Sequence, residues 1–433
     1  MSRTLLQQVL DDHKRGHGGG IPSVCSAHPA VIDAAVAHAV LTGTPLLVEA
    51  TCNQVNQFGG YTGLTPAAFY RHIRAAAAAG GLPAERLFLG GDHLGPSPWQ
   101  EEPAGAAMDK ARVLVRDFTA AGFMKVHLDT SMRLGDDPPG PPAPETVAAR
   151  AADLAAACES VAGESKPLYV IGTEVPIPGG AQQHEDAPTP TSAEDAAATI
   201  ELTGRAFAQR GLSAAWERVV AVVVQPGVEF GDEQIFDYDP VRAAPLSRFI
   251  ETQPGLVYEA HSTDYQTGAA LRNLVRDHFA ILKVGPALTF AYREAIVALE
   301  AIERAWLGGR VGWEPSGVRE ALEAAMLANP VHWRKYYPGD EAEQRFKRWF
   351  SLSDRIRYYW PEAGVQAAVA RLMTNLSRPI PYSLLSQYLP RQAARVREGQ
   401  LENTPAALAQ DGVAAVLEQY TAACGSRPVN RSA

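Results

Sequence analysis

The chain has few cysteines, no long apolar run and no excess of positive charge. Cys25, Cys52, Cys158 and Cys424 are the only four thiols in 433 residues, and none forms a CxxC pair. A chain of this size buries enough apolar surface to need no disulfide staples, so they read as free thiols in a reducing cytoplasm. Cys25 and Cys52 lie near predicted strand ends, where a small buried apolar side chain is the plainest reading. No segment approaches the ~20 apolar residues of a membrane span. Met1 to His17 is polar and charged and lacks the apolar core of a signal peptide. Lys and Arg number 39 against 48 Asp and Glu, a formal net charge of -9. That balance argues against a general nucleic-acid binder. What remains is an ordinary globular composition, 46% hydrophobic and 20% charged.

Length alone allows two or three domains of ~150 residues, or one large α/β barrel with an appendage. The order of apolar runs favours the barrel. Short β-branched runs alternate with Ala-rich helical stretches: Ile21–Ser26, Pro45–Thr51, Leu87–Asp92, Phe123–Asp129, Leu168–Glu174, Val219–Gln225, Leu256–His261 and Phe279–Gly285. Runs such as Val220-Ala221-Val222-Val223-Val224 are continuously apolar, which marks strands covered on both faces. Eight successive strand–helix units predict a (β/α)₈ TIM barrel over residues 1–307. An open doubly wound sheet is the runner-up, but no strand-turn-helix G-x-G-x-x-G is present. From residue 308 helical stretches dominate, anchored by Trp313, Trp333, Trp349 and Trp360. They predict a helical C-terminal extension over 308–424, packed on the barrel, and a loose tail over 425–433.

Barrels of this kind carry function at the C-terminal ends of their strands. There the sequence places Ser26 and His28; Glu49, Asn53, Gln54, Asn56 and Gln57; Asp92 and His93; His127 and Asp129; Glu174; Gln225 and Glu229; Glu259, His261 and Asp264; and Lys283. A purely structural barrel has no reason to gather so many polar groups at one rim. His93 and His261 are the candidate metal ligands, with oxygens from Glu174 and from Gln225 or Glu229. Such a set suits zinc, manganese, cobalt or nickel without choosing among them. Asp92 and Asp129 are candidate acid–base groups. Lys283 is expected to act as a Schiff-base amine, an anion ligand or the partner of a rim carboxylate, the last two being favoured. Ser26, Glu49, Asn53, Gln54, Asn56, Gln57, His127 and Asp264 are the candidate substrate contacts. Gly59-Gly60 and Gly179-Gly180 mark flexible loop points.

Longer blocks around these residues resemble a known family. They are Ser23–Pro29, Glu49–Gly63, Gly90–Pro96, Gly172–Pro176, Val224–Phe230, Tyr258–Thr267, Lys283–Phe290, Ser353–Trp360 and Ser386–Pro390. The chain is similar over nearly its whole length to the GatZ/KbaZ group, called the non-catalytic subunit of class II D-tagatose-1,6-bisphosphate aldolase. That group has also been called tagatose-6-phosphate kinase, yet no Gly-rich phosphate loop with Lys-Ser/Thr is present. The group is similar in turn to the metal-dependent class II aldolases. The resemblance implies that Asp92 is a proton donor, His93 and His261 are metal ligands, Glu174 meets the metal, Glu185 lies on a loop that brings in a base, and Lys283 sits beside the substrate.

Two departures stand out. The segment after the sixth strand has Gln225, Gly227 and Glu229 where aldolases place another metal histidine. The segment after the seventh has Ser262-Thr263-Asp264-Tyr265 in place of a Gly/Ser-rich phosphate nest, and an Asp there repels a phosphate. The resemblance therefore implies a site that has kept two of three histidines and weakened its phosphate grip. It implies an enzyme of tagatose and fructose metabolism acting on a sugar or sugar phosphate, by C4 epimerisation through retro-aldol chemistry at C3–C4, as reported for some members. The alternative is a stabilising partner of a separate class II aldolase catalytic subunit. A cytoplasmic homo-oligomer is expected in either case.

Overall fold

The computed structural model describes residues 4–172 and 188–425. Glu174, Glu185, Gly179-Gly180 and the tail beyond Gly425 lie outside the described residues. The eight expected units close into one parallel barrel. Its strands are β1 (Ile21–Val24), β2 (Leu46–Thr51), β3 (Leu87–Leu94), β4 (Lys125–Leu128), β5 (Leu168–Gly172), β6 (Val219–Val223), β7 (Val257–Ala260) and β8 (Phe279–Val284). Each pairs with its chain neighbours, and β8 closes on β1 with Lys283 opposite Ser23. Helices cover the outside, as continuously apolar strands require. Proline opens six of them, at Pro29, Pro66, Pro144, Pro240, Pro286 and Pro405, where its missing N–H costs nothing. Gly43 and Gly122 end the helices Pro29–Thr42 and Ala104–Ala121 in the left-handed conformation that suits glycine.

Two features differ from the sequence reading. The polar N-terminus contains a helix, Leu5–Asp12, stabilised by a reciprocal Thr4–Gln7 capping box. Its buried Leu6 and Leu10 pack with Ile21, Leu47, Phe88, Val170, Val257 and Ile281. These leucines sit against the barrel's apolar interior, and eight residues with two buried leucines are too short a pattern to stand out in sequence. The third strand also runs on past Asp92, so Asp92, His93 and Leu94 are strand residues. Its pairing with β4 shifts register between Gly91 and Leu94. Such a bulge re-aims side chains.

The helices after residue 308 share one continuous core with the barrel's outer layer. Trp333, Tyr337, Trp349, Tyr359 and Trp360 are buried in it. The last helix, Pro405–Ala423, packs on the helices Pro29–Thr42 and Pro286–Leu307. Its Tyr420 hydroxyl donates to the Thr263 carbonyl at 2.7 Å, which ties the extension to the rim after β7. Among the described residues no helix is long and apolar enough to cross a membrane.

Candidate metal centre

The barrel interior carries a layer of charge beneath the rim. Glu49 on β2, Lys125 on β4, Glu259 on β7 and Lys283 on β8 are all buried. Lys125 Nζ lies 2.7 Å from Glu49 and 2.6 Å from Glu259. Lys283 Nζ lies 2.5 Å from Glu49, 2.8 Å from Asp92 and 3.6 Å from Glu259. Barrel layers are usually filled by branched apolar side chains. Charges so deep persist only when paired. Burial works against the Lys283 ammonium, yet Asp92, Cys25, Glu49 and Glu259 around it outweigh that and hold it protonated well above the ordinary lysine range. A Schiff-base amine must be neutral, so the geometry favours an ion-pairing role.

Three histidines stand on this layer. Ring centroids of His93, His127 and His261 are 4.7 to 5.1 Å apart. His93 Nδ1 is 2.8 Å from Asp129 Oδ2, and His261 Nε2 is 3.0 Å from Glu259 Oε1. A carboxylate accepts, so each of these ring nitrogens carries the proton. The remaining nitrogens, His93 Nε2 and His261 Nδ1, then face each other as lone pairs at 3.1 Å. Two lone pairs at that distance repel unless a cation or a proton lies between them. His127 adds a third acceptor. Its Nδ1 lies 3.3 Å from Asp92 Oδ1, and a proton donated there leaves the buried Nε2, which has no hydrogen-bond partner, as the acceptor. Asp92, His127, Glu259 and His261 each offer an atom within 4.8 Å of the others. Carboxylate-oriented imidazoles with inward lone pairs are what a divalent metal requires of its ligands. The residues present therefore fit a metal.

The local sequence explains the placement. His93 takes φ 46°, a left-handed conformation that a side chain of this kind rarely adopts. Holding it costs ~1–3 kcal/mol, and the bulge in β3 and the Asp129 bond keep it there. Gly95 lets β3 approach the β4 end. A Cβ at Gly95 stands 1.7 Å from the Asp129 carbonyl oxygen. Burial pushes the His261 imidazole down to about 3, and the Glu259 bond offsets only part of that. Burial opposes ionisation of Asp92, but Lys283, His93 and His127 prevail and hold its carboxyl well below the usual range.

A cavity of about 1360 Å³ opens above the histidines. Asp92, His93, Asp129, His261 and Lys283 line it, as do Asn53, Gln54, Asn56, Gln225 and Asp264. Several expected substrate contacts do not. His127 is fully buried and joins the other two histidines, so the third imidazole comes from β4 rather than from the segment after β6. Glu49 has both oxygens on ammonium groups beneath the floor. Ser26 accepts the His28 N–H, and Gln57 points away to donate to the Lys110 carbonyl. Asn56 lines the cavity but holds the loop that follows β2, accepting N–H bonds from Phe58 and Gly60. Gln225, expected at the metal, accepts the Gly227 and Val228 N–H groups and so closes its own turn. Asp129, expected in acid–base work, has its other oxygen on Ser131 and orients His93. Asp264 Oδ1 accepts the Gly285 and Ala287 N–H groups at 3.0 and 2.8 Å. A carboxylate of the chain itself thus fills the anion cradle at the N-terminus of the helix Pro286–Leu307.

Sequence reasoning missed Lys125 and the wall of the extension. The signal for Lys125 was present, since Lys125 and His127 alternate along β4 and so share its inner face, with Asp129 just past the strand's end. The extension contributes Lys335, Arg355, Arg357 and Tyr358 to the cavity. Nothing in a helical pattern of 3.6 residues announces which face meets a rim far away in sequence.

Comparison with known proteins finds both a family and solved structures to which the chain is similar. The structure of a probable tagatose 6 phosphate kinase from Sinorhizobium meliloti 1021 is similar at 48% identity and a TM-score of 0.85, covering 94% of this chain and 100% of its own. A fructose-bisphosphate aldolase from Campylobacter jejuni matches at 14% identity and a TM-score of 0.49, over 86% of this chain and 91% of its own. The family model described as D-tagatose-1,6-bisphosphate aldolase subunit GatZ/KbaZ-like matches residues 6–425, and the chain belongs to that family.

Proposed function

We propose that this protein is a divalent-metal enzyme acting on a ketose or ketose phosphate, most simply a tagatose/fructose 4-epimerase. The observation that carries the reading is the 3.1 Å approach of His93 Nε2 to His261 Nδ1, each ring backed by a carboxylate on its other nitrogen, beside the unpartnered His127 Nε2. His93, His127 and His261 would hold the metal, with Glu174 from the family resemblance as a further ligand. A bound divalent cation supplies Lewis acidity for a carbonyl and stabilises developing negative charge.

Tagatose and fructose differ at C4. The C4 proton is not next to the C2 carbonyl, so simple enolisation does not invert that centre. Cleavage does. A base removes the C4 hydroxyl proton, the C3–C4 bond breaks, and its electron pair passes into the enediolate of the three-carbon fragment. The aldehyde turns, the same pair re-forms the bond on its other face, and the proton returns to the C4 oxygen. Asp92 lines the cavity beside the histidines and is the carboxylate available for that proton, with Glu185 as the second candidate by resemblance. Lys283 keeps Asp92 ionised, and its ammonium stabilises negative charge in the same place. Asp129 and Glu259 orient the imidazoles.

The second reading, a stabilising subunit for a separate catalytic aldolase, rests on the family description. A carrier subunit has no evident need for three imidazoles with oriented protons. The test is to incubate the chain alone with D-fructose, D-tagatose and their phosphates, with manganese, zinc or EDTA. Metal-dependent interconversion at C4 is the expected result. No turnover of any of these, together with activation of an added class II aldolase, would favour the subunit.

A further inference from the structure

We infer that the C-terminal extension forms an oxyanion-binding wall, so that the substrate of this site is an anionic sugar held at its charged end by Lys335, Arg355 and Arg357. This rests on the proposed ketose reading and adds the substrate's charge and its grip.

The argument begins with ion pairing. The chain carries a net charge of -9, so carboxylates are plentiful. Yet among the described residues Lys335, Arg355 and Arg357 have no carboxylate at ion-pair distance, and all three line the cavity. Arg355 is buried, stacked over Tyr336, with one guanidinium contact to the His332 carbonyl and a buried Nε that has no hydrogen-bond partner. Burying a guanidinium without a counter-charge is costly, and such a cost is sustained where a ligand completes the pair.

The local fold holds these cations in place. Asp354, the carboxylate next to Arg355 in sequence, is buried on the Arg293 guanidinium at 3.0 Å and accepts the Thr289 hydroxyl at 2.6 Å. That anchor ties the short turn Arg355–Tyr358 to the helix Pro286–Leu307. It also spends the carboxylate nearest in sequence to Arg355 and Arg357. Arg357 donates to the Ser353 and Asp354 carbonyls and to the Tyr358 hydroxyl at 3.0 Å. Tyr358 in turn packs between His332 and Tyr61, with ring centroids 4.6 Å away on each side. The guanidinium is therefore fixed by backbone acceptors, which leave its charge uncancelled.

The barrel's own anion cradle gives the complementary half. In this fold a backbone N–H pair at a helix N-terminus is a ready anion site. Here Asp264 occupies it. An anionic group on the substrate has no place there and finds its only unpaired cations, among the described residues lining the cavity, on the extension. The extension thus brings three cations, Lys335, Arg355 and Arg357, against one carboxylate, Glu362, to a cavity whose barrel side carries the histidines with Asp92 and Asp129.

The test measures binding to the full chain stripped with EDTA, which separates it from metal-dependent turnover. Inorganic phosphate, D-fructose 6-phosphate, D-gluconate and neutral D-fructose are titrated by calorimetry. At least one of the anions is expected to bind at least ~10-fold more tightly than D-fructose, the factor that one charge-assisted hydrogen bond supplies. Phosphate against gluconate tells whether the oxyanion is a phosphate or a carboxylate. Lys335→Ala, at an exposed position where folding is not at risk, should weaken anion binding ~3-fold or more. Arg357→Met should weaken it ~10-fold or more, with Arg357→Lys restoring part of the loss. Equal binding of D-fructose and all three anions, or anion binding indifferent to both substitutions, overturns the inference. Tight anion binding by a chain that turns over no ketose would keep this wall and discard the epimerase reading.

Discussion

Lys125 offers the sharpest test of how the site is supported. Its ammonium is completely buried between Glu49 at 2.7 Å and Glu259 at 2.6 Å. Each contact is a gross attraction of about 332/(20 × 2.6), or ~6 kcal/mol, at an effective dielectric of ~20. Desolvating the ammonium cancels several kcal/mol of that sum. Lys125→Met keeps the volume and removes the charge. It leaves Glu49, Glu259 and Asp92 facing Lys283 alone, so one buried carboxylate loses its counter-charge. The expected net loss is ~3–5 kcal/mol of unfolding free energy. Adding Glu49→Gln removes the orphaned charge, and the double variant should recover ~1–3 kcal/mol of it. Urea denaturation of wild type, both single variants and the double variant, all without metal, measures the cycle. A Lys125→Met loss below ~1 kcal/mol, or a double variant no more stable than the sum of the singles predicts, would refute the claim that this layer is an obligatory ion-pair network.

Four further outcomes follow from the same geometry. Asp129→Asn removes the carboxylate that orients His93, and metal affinity measured by competition with a chelating dye should fall ~10–100-fold with the fold kept. Asp264 is pushed up to about 6 by burial, so its contribution to stability is full below the unfolded carboxyl value near ~4 and is lost as pH rises through about 6. Asp264→Asn should therefore raise the melting temperature at pH 8 and do little at pH 4; an unchanged difference across that range would contradict the burial argument. His261 is held down to about 3, so in metal-free protein its contribution is present above the unfolded value near ~6.5 and fades as pH falls from there toward about 3. His261→Ala should flatten that acid limb of a stability–pH curve. Gly95→Ala drives a methyl into the Asp129 carbonyl and should lose metal binding along with several degrees of melting temperature, whereas wild-type behaviour would show that β3 and β4 separate freely.

Much of this was legible in the sequence, and the reasons differ from element to element. The barrel was readable because eight apolar runs of strand length alternate with Ala-rich helical stretches. The rim rule then brought Asp92, His93, His261 and Lys283 to one place without any knowledge of contacts. The role of His127 was not readable. It shares an inner face with Lys125, but whether an inward side chain meets a substrate or its neighbours depends on depth along the strand, which period-two alternation does not encode. Glu49 went astray for the same reason, since it sits one layer below the floor. Gln225 and Asn56 have side chains that satisfy local backbone N–H groups, an alternative open to amides near any turn. The cationic wall joins residues some 240 positions beyond β3 to the rim, and only tertiary packing makes that contact.

The central claim is that three imidazoles and their carboxylates form a metal site. Metal content of the chain purified alone, measured by mass spectrometry after equilibrium dialysis against zinc, manganese or cobalt, tests it most directly. The account predicts one tightly bound divalent ion per chain, lost on His261→Ala while the circular dichroism spectrum stays that of the wild type. A wild-type chain that retains no metal from any of these dialyses, or a His261→Ala chain that retains as much, would contradict it.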